Sequence, residues 1–108
     1  MAISSDMFRG HTDTFILNIL SKGDNYGYEI TKKITEKSKG NFTIKDATIY
    51  TAFRRMEEEG LIETYWGDGI GGARRRYYKI TSKGQRILKE KKEEWETVSK
   101  LLTNLILK

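Results

Sequence analysis

Between Asp46 and Ile80 the chain reads DATIYTAFRRMEEEGLIETYWGDGIGGARRRYYKI, and the side chains best suited to meet a polyanion fall there in two groups. The first group has helical spacing. Ile49, Phe53 and Met56 lie four and three apart and share one face. The opposite direction holds Ala47, Thr51, Arg54 and Glu58, flanked by Thr48, Tyr50 and Arg55, with Lys45 just ahead. Ala47 and Thr51 are small enough to let a helix backbone approach base edges. Thr48 and Thr51 can donate to phosphate or base, and a threonine methyl can touch thymine. Tyr50 suits a phosphate, and Arg54 reaches a guanine or a phosphate. Glu57, Glu58 and Glu59 sit at the far end, where they can point away from DNA.

The second group is a glycine-rich turn. Gly67, Gly69, Gly71 and Gly72 precede Arg74, Arg75 and Arg76. Glycine lets a loop follow a nucleic-acid backbone closely, and its bare amides can bind phosphate. Arginine clamps phosphates or enters a minor groove. Strand alternation turns Arg75 away from Arg74 and Arg76, so the three are not equivalent. The DNA-contacting set expected from both groups is Lys45, Thr48, Tyr50, Thr51, Arg54, Gly72, Arg74 and Arg75. Either group alone would pass for a solvated charged surface. Side by side they have the layout of a recognition helix and a wing, with double-stranded DNA as the partner.

Catalysis has no comparable support. His11 is the single histidine and there is no cysteine, which removes thiolate metal sites, disulfides and cysteine nucleophiles together. The hairpin glycines lack both the Lys-Ser/Thr of a phosphate-binding loop and the helix that follows a dinucleotide fingerprint. No catalytic residue, metal or cofactor is expected, and His11 reads as an ordinary helix-start residue.

These groups need elements to position them. A first helix is expected from about Thr12 to Ser21. Phe15, Ile16, Leu17, Ile19 and Leu20 cover more than one of its faces, so it should touch its own core and a second subunit, with Met7 and Phe8 extending the contact. Gly23 suits a helix stop, and Asp24 or Asn25 the next N-cap. A second helix follows from about Tyr26 to Lys37, with Tyr26, Ile30 and Ile34 as its inner stripe. Ser38 to Asn41 ends it, and Phe42-Thr43-Ile44 reads as a short extended segment. The third helix starts with Asp46 as N-cap and stops at Gly60. Leu61–Trp66 and Arg75–Ile80 read as strands around a flexible tip.

A last helix begins at Thr81 or Ser82, with Ser82 and Gln85 at capping-box spacing, and runs to about Ile106. Leu88, Lys91, Trp95, Val98, Leu102 and Leu105 repeat at intervals of 3, 4, 3, 4 and 3, a heptad seam with one charged defect. A helix this long at the end of a small domain is expected to pair with a second copy, with Phe15, Leu88, Trp95, Val98, Leu102 and Leu105 at the dimer interface. Trp95 is either a packed interface aromatic or half of a slot for a flat aromatic ligand.

The expected fold is therefore α+β, mainly α: a winged helix-turn-helix over residues 1–80, and a C-terminal dimerisation helix over 81–108. The 108 residues are enough for one modest core, and a net charge of +5 suits a polyanionic partner. The lack of cysteine fits a reducing cytoplasm. The first ten residues do not read as a signal peptide, and no apolar run is long enough to span a bilayer, so no membrane partner is expected.

Three segments carry a family resemblance: GDNYGYEI (23–30), ATIYTAFRRMEEEGLIE (47–63) and ARRRYYKITSKG (73–84). With the last helix they make nearly the whole chain resemble a PadR-family transcriptional regulator. The resemblance implies a homodimeric repressor of detoxification or transporter genes bound to a palindromic operator. It puts the third helix in the major groove and the wing on the backbone, which carries over to Thr48, Tyr50, Thr51, Arg54, Arg74 and Arg75. YWGDGIGGARRRYY and the tryptophan of KKEEWETVSK look most like the short, multidrug-binding branch. That branch implies a pore at the dimer centre lined here by Asn18, Leu88, Lys91, Trp95 and Ser99, and a planar aromatic ligand. Two positions depart from the branch. Lys91 stands where a small residue would leave the pore open, and Ser99 where an acid would attract cations. The rival reading is a winged-helix protein-interaction module without sequence-specific DNA binding, suggested by the acidic triplet and the mixed charge of the last helix.

Overall fold

The computed structural model describes residues 5–8 and 10–108. Residues 1–4 and 9, part of the segment read above for a signal peptide, lie outside those described. After a 3-10 turn at Ser5–Phe8, the elements are α1 (Thr12–Leu20), β1 (Asn25–Tyr26), α2 (Gly27–Lys37), α3 (Asp46–Glu58), β2 (Ile62–Asp68), β3 (Arg74–Ile80) and α4 (Ser82–Leu107). The strands form one antiparallel sheet in the order β1-β3-β2. Its register runs from Ile62 opposite Ile80 to Asp68 opposite Arg74, with Tyr26 opposite Tyr77 on the far edge.

The core lies between the three short helices and one face of the sheet. Ile16, Leu17 and Leu20 of α1, Ile30 of α2, and Ile49, Phe53 and Met56 of α3 are buried against Ile62, Tyr78 and Leu88. Phe53 stacks on Tyr78 with ring centroids 4.1 Å apart, so the inner stripe of α3 is fastened directly to the base of the wing. The aromatic rings of Phe8, Phe15 and Phe42 form a smaller cluster beside this core, with Phe8 and Phe42 centroids 4.5 Å apart.

Several local expectations are corrected, most of them because a long-range contact displaces a local preference. Neither Asp24 nor Asn25 caps α2. Asn25 and Tyr26 are drawn into pairing with β3, so the cap position falls to Tyr26, without a side-chain bond. Asp46 is the first residue of α3 rather than its cap, which is Lys45. Thr81, not Ser82, caps α4: its Oγ1 accepts the Gly84 N–H at 3.0 Å, while its own amide donates to the Leu61 carbonyl at 3.1 Å. Phe42-Thr43-Ile44 joins no strand and instead buries Phe42 and Ile44.

The last helix also packs on its own chain. Its first half packs on α1, with His11 edge-on to Trp95 at 5.7 Å. Leu88, placed on the dimer seam by its spacing, is buried within its own chain. His11 does stand at the start of α1, as its N-cap residue.

Candidate nucleic-acid interface

The helical spacing that buries Ile49, Phe53 and Met56 leaves Lys45, Thr48, Tyr50, Thr51 and Arg54 exposed on α3 and just before it. Thr51 Oγ1 donates to the Ala47 carbonyl at 2.8 Å, leaving its lone pairs and methyl outward. Lys45 and Arg54 make no ion pair among the described residues. Arg55 is different. Its guanidinium grips both oxygens of Asp13 at 2.7 Å, with Glu59 at 3.5 Å, and joins α3 to α1. The Asp13 hydrogen bond, chiefly, raises the Arg55 pKa above its ordinary value. Arg55 is thus occupied by the fold, and Arg54 is the free cation of that pair.

Tyr50 stands against the beginning of α2. Its ring meets Phe53 edge-on at 5.6 Å, and its hydroxyl covers Gly27. A Cβ on Gly27 would lie 2.7 Å from Tyr50 Oη, so the tip of the Tyr50 ring can rest on the start of α2 because residue 27 has no side chain.

The wing sends its three arginines to three places. Arg76 turns inward: its Nε donates to Thr64 Oγ1 at 2.8 Å, and a terminal nitrogen lies 3.4 Å from Glu57 of α3. It braces the wing against the C-terminal end of α3. Arg74 lies over Trp66 at 5.3 Å on the same face. Arg75 occupies the opposite face, 4.0 Å above the ring of Tyr26. The alternation read from sequence therefore holds, and Arg76 is removed from the free cations. At the tip, Gly71 and Gly72 have φ of +75° and +79°, which L side chains rarely adopt. Gly72 contributes first as a turn former.

Sequence reasoning missed two residues here. Trp66 is 58% exposed on the wing. Tyr26 stands in the sheet beneath Arg75, and Tyr50 and Arg75 consequently flank neighbouring residues at the start of α2. The signal for Trp66 was an aromatic at a strand end beside a glycine tip. Spacing puts Tyr26 on the inner stripe of the second helix, but it stands instead in β1, just ahead of α2; a two-residue strand is invisible to periodicity.

An aromatic row continues from Tyr26 across the outer sheet face. Tyr26 meets Tyr77 edge-on, Tyr77 stacks on Tyr65 with centroids 5.7 Å apart, and the Tyr65 hydroxyl donates to Asp24 at 2.6 Å. That hydrogen bond holds the Tyr65 pKa above the usual tyrosine value, and burial does the same for Tyr78. Both neutral phenols are favoured in the fold. Their contribution to stability is complete below the unfolded value, about pH 10, and is lost as pH climbs through the raised folded values. An alkaline titration followed at Tyr65 and Tyr78 should show both ionising above the usual tyrosine range, and Asp24→Ala should lower the Tyr65 midpoint. Ionisation of both phenols in the usual range, with no effect of Asp24→Ala on Tyr65, would contradict this.

The expected ligand set does not close a pocket within one chain. Asn18 lines an apolar groove of about 420 Å³ with Phe15, Ile19, Ile34 and Phe42. Leu88, Lys91, Trp95 and Ser99 do not line it; Leu88 is in the core, and Trp95 is 52% exposed. Lys91 Nζ leans to Glu94 at 4.0 Å, and Ser99 Oγ donates to the Glu96 carbonyl. Among the described residues no cluster of His, Asp or Glu could hold a metal, and no helix is long and apolar enough to cross a membrane.

A helix-turn-helix whose second helix shows threonines, a tyrosine and a free arginine, followed by a basic wing and a long helix, defines a winged-helix DNA-binding protein. Comparison with known proteins agrees. Residues 16–90 match the model of the transcriptional regulator PadR-like family. A transcriptional regulator from Clostridium thermocellum is 44% identical, with a TM-score of 0.85 over 94% of this chain and 98% of that one. A PadR family transcription regulator from Clostridium difficile R20291 is 38% identical, with a TM-score of 0.79 over 90% and 99% of the two chains. A Lysinibacillus sphaericus protein described as uncharacterized protein X is 42% identical over 93% of this chain and 92% of its own length. The chain belongs to the PadR-like family of transcriptional regulators. Members of the family are DNA-binding regulators, not enzymes.

Proposed function

We propose that this chain is a cytoplasmic, homodimeric repressor that binds a palindromic operator and occludes a promoter. In this reading α3 enters the major groove with Thr48, Thr51 and Arg54 toward base edges. Lys45, Tyr50, Gly72, Arg74 and Arg75 hold the sugar-phosphate backbone. The observation that carries it is the pairing of an exposed polar face on α3 with cations on the adjacent wing that no carboxylate of the described residues neutralises. The acidic triplet, the best support for a pure protein-interaction module, is partly used inside the fold: Glu57 faces Arg76 and Glu59 faces Arg55.

The dimer is supported by the second half of α4. Trp95, Val98, Leu101, Leu102, Leu105, Ile106 and Leu107 are all exposed in the single chain, an apolar surface that water alone would cover poorly. Residues 81–108, with Phe15 of α1, would supply the interface, and residues 1–80 the DNA contacts. The genes controlled would encode detoxification or multidrug-transport functions. A planar hydrophobic ligand would bind between the two Trp95 rings, with Asn18, Lys91 and Ser99 at its edges. Relief of repression requires that the ligand bind better to a dimer whose recognition helices no longer match the operator spacing.

Selection of bound duplexes from a random pool at near-physiological salt tests the reading. Enrichment of an inverted repeat is the expected result. Recovery of unenriched DNA by folded, dimeric protein would overturn it. On the enriched duplex, Arg74→Ala and Tyr50→Phe should each weaken binding by roughly three- to thirtyfold, about the value of one charge-assisted or neutral hydrogen bond. Tyr50→Phe keeps the ring packed on Phe53, so the fold should persist.

A further inference from the structure

Arg75 differs from its two neighbours in what holds it. Arg76 has Thr64 and Glu57. Arg75 has an aromatic ring on one face of its guanidinium and no carboxylate partner among the described residues. The ring itself is fixed. Tyr26 is paired with Tyr77 across the sheet and touches its ring edge-on at 5.7 Å. Tyr77 is stacked on Tyr65 with planes 14° apart, and Tyr65 is tied by its hydroxyl to Asp24, two residues before Tyr26. The row closes on itself through the backbone. Gly67 makes room for it, since a Cβ there would lie 2.7 Å from the Tyr77 ring.

We propose that Tyr26 is a positioning residue for DNA binding: its ring holds the Arg75 guanidinium in place for a backbone phosphate of the operator. The proposal rests on the DNA-binding reading and assigns a role to a residue that touches no DNA. Stacking occupies the face of a guanidinium and leaves the N–H groups at its edge free, and those are the groups a phosphate needs. A side chain already ordered by its neighbour loses less conformational freedom on binding. The phosphate contact belongs to Arg75, and its readiness belongs to Tyr26, supported by Tyr77 and Tyr65.

The two roles separate in a salt titration of binding to the enriched duplex. Arg75→Ala removes a phosphate contact, so the slope of log affinity against log salt should shrink by about 0.9. Tyr26→Leu leaves the charge able to reach the phosphate. It should weaken binding roughly three- to tenfold with the slope unchanged. Tyr26→Phe keeps the ring and should bind like the parent. In the Arg75→Ala background, Tyr26→Leu should cost nothing further. Arg75→Lys tests the same point without touching the sheet: it keeps the charge and loses the planar stack, so affinity should fall while the slope holds. Parental affinity in both Tyr26→Leu and Arg75→Lys would overturn the positioning role and leave DNA binding standing. Additive losses in the double variant would also overturn it. Absence of any DNA binding by the parent would remove both readings together.

Discussion

Gly84→Ala is expected to destabilise this protein by about 3 kcal/mol, although the position is helical and alanine is the better helix former by up to about 1 kcal/mol. Gly84 lies in the first turn of α4 and is buried. A Cβ there would fall on the Leu61 carbonyl oxygen and sit 2.8 Å from Ile80 Cγ1. The Leu61 carbonyl has little room to retreat. Leu61 donates its N–H to Met56 at 2.9 Å and accepts from the Thr81 amide at 3.1 Å. Thr81 Oγ1 lies 2.6 Å from the Gly60 carbonyl, and Lys83 Nζ donates to the Glu59 carbonyl at 2.7 Å. The end of α3, the start of β2 and the start of α4 therefore meet at one hydrogen-bonded junction, and a methyl group must push all of it apart. For a domain near 100 residues, the loss corresponds to a drop of roughly 10–20 °C in Tm. Chemical unfolding at fixed protein concentration measures it, and an unchanged or raised midpoint would contradict the close packing described. The same junction aims the wing, so the variant should also bind DNA more weakly wherever it remains folded.

Leu102→Asp is expected to convert the proposed dimer to a folded monomer and to weaken operator binding by roughly a hundredfold or more. Leu102 is 42% exposed in the single chain, beside Val98 and Leu105 on the same seam, and takes no part in the core. A carboxylate there costs the monomer little. Buried between two α4 helices it would face apolar side chains without a partner, an arrangement disfavoured by several kcal/mol. Each monomer would still present α3 and the wing to one half-site. What disappears is the second, intramolecular binding event that a dimer contributes. Sedimentation velocity reports the oligomeric state, and fluorescence anisotropy of a labelled duplex the affinity. A Leu102→Asp protein that stays dimeric would place the interface elsewhere. One that becomes monomeric yet binds the inverted repeat at parental strength would show that the two half-sites act independently.

The stripe Ile49, Phe53 and Met56, the extent of α3 to within about a turn, the hairpin and the opposed directions of Arg74 and Arg75 were all legible in the amino-acid order. Each depends on a repeat of 3.6 or 2 residues, or on glycine next to strand formers, and such preferences act within a few residues of chain. The heptad spacing of α4 was legible in the same way, and exposed apolar side chains do line its second half. What that spacing could not say is that its first member, Leu88, is consumed by the chain's own core.

Only the folded chain decided which cations remain available, because that depends on partners far away in sequence. Arg54 and Arg55 are adjacent and chemically identical, yet Asp13, 42 positions from Arg55, claims one and leaves the other. Arg76 is taken by Glu57 across 19 positions, while Arg75 finds the ring of Tyr26 on a strand of two residues. The displaced caps of α2 and α4 have the same origin: a local preference for Asp or Ser is a small term, and a ladder bond or a buried junction outweighs it. The order of residues alone determined where α3 and the wing lie and which face of α3 is buried. The tertiary structure decided, from a surplus of similar side chains, which are held by partners among the described residues and which are not, because long-range ion pairs and ring stacks form only once distant segments are brought together.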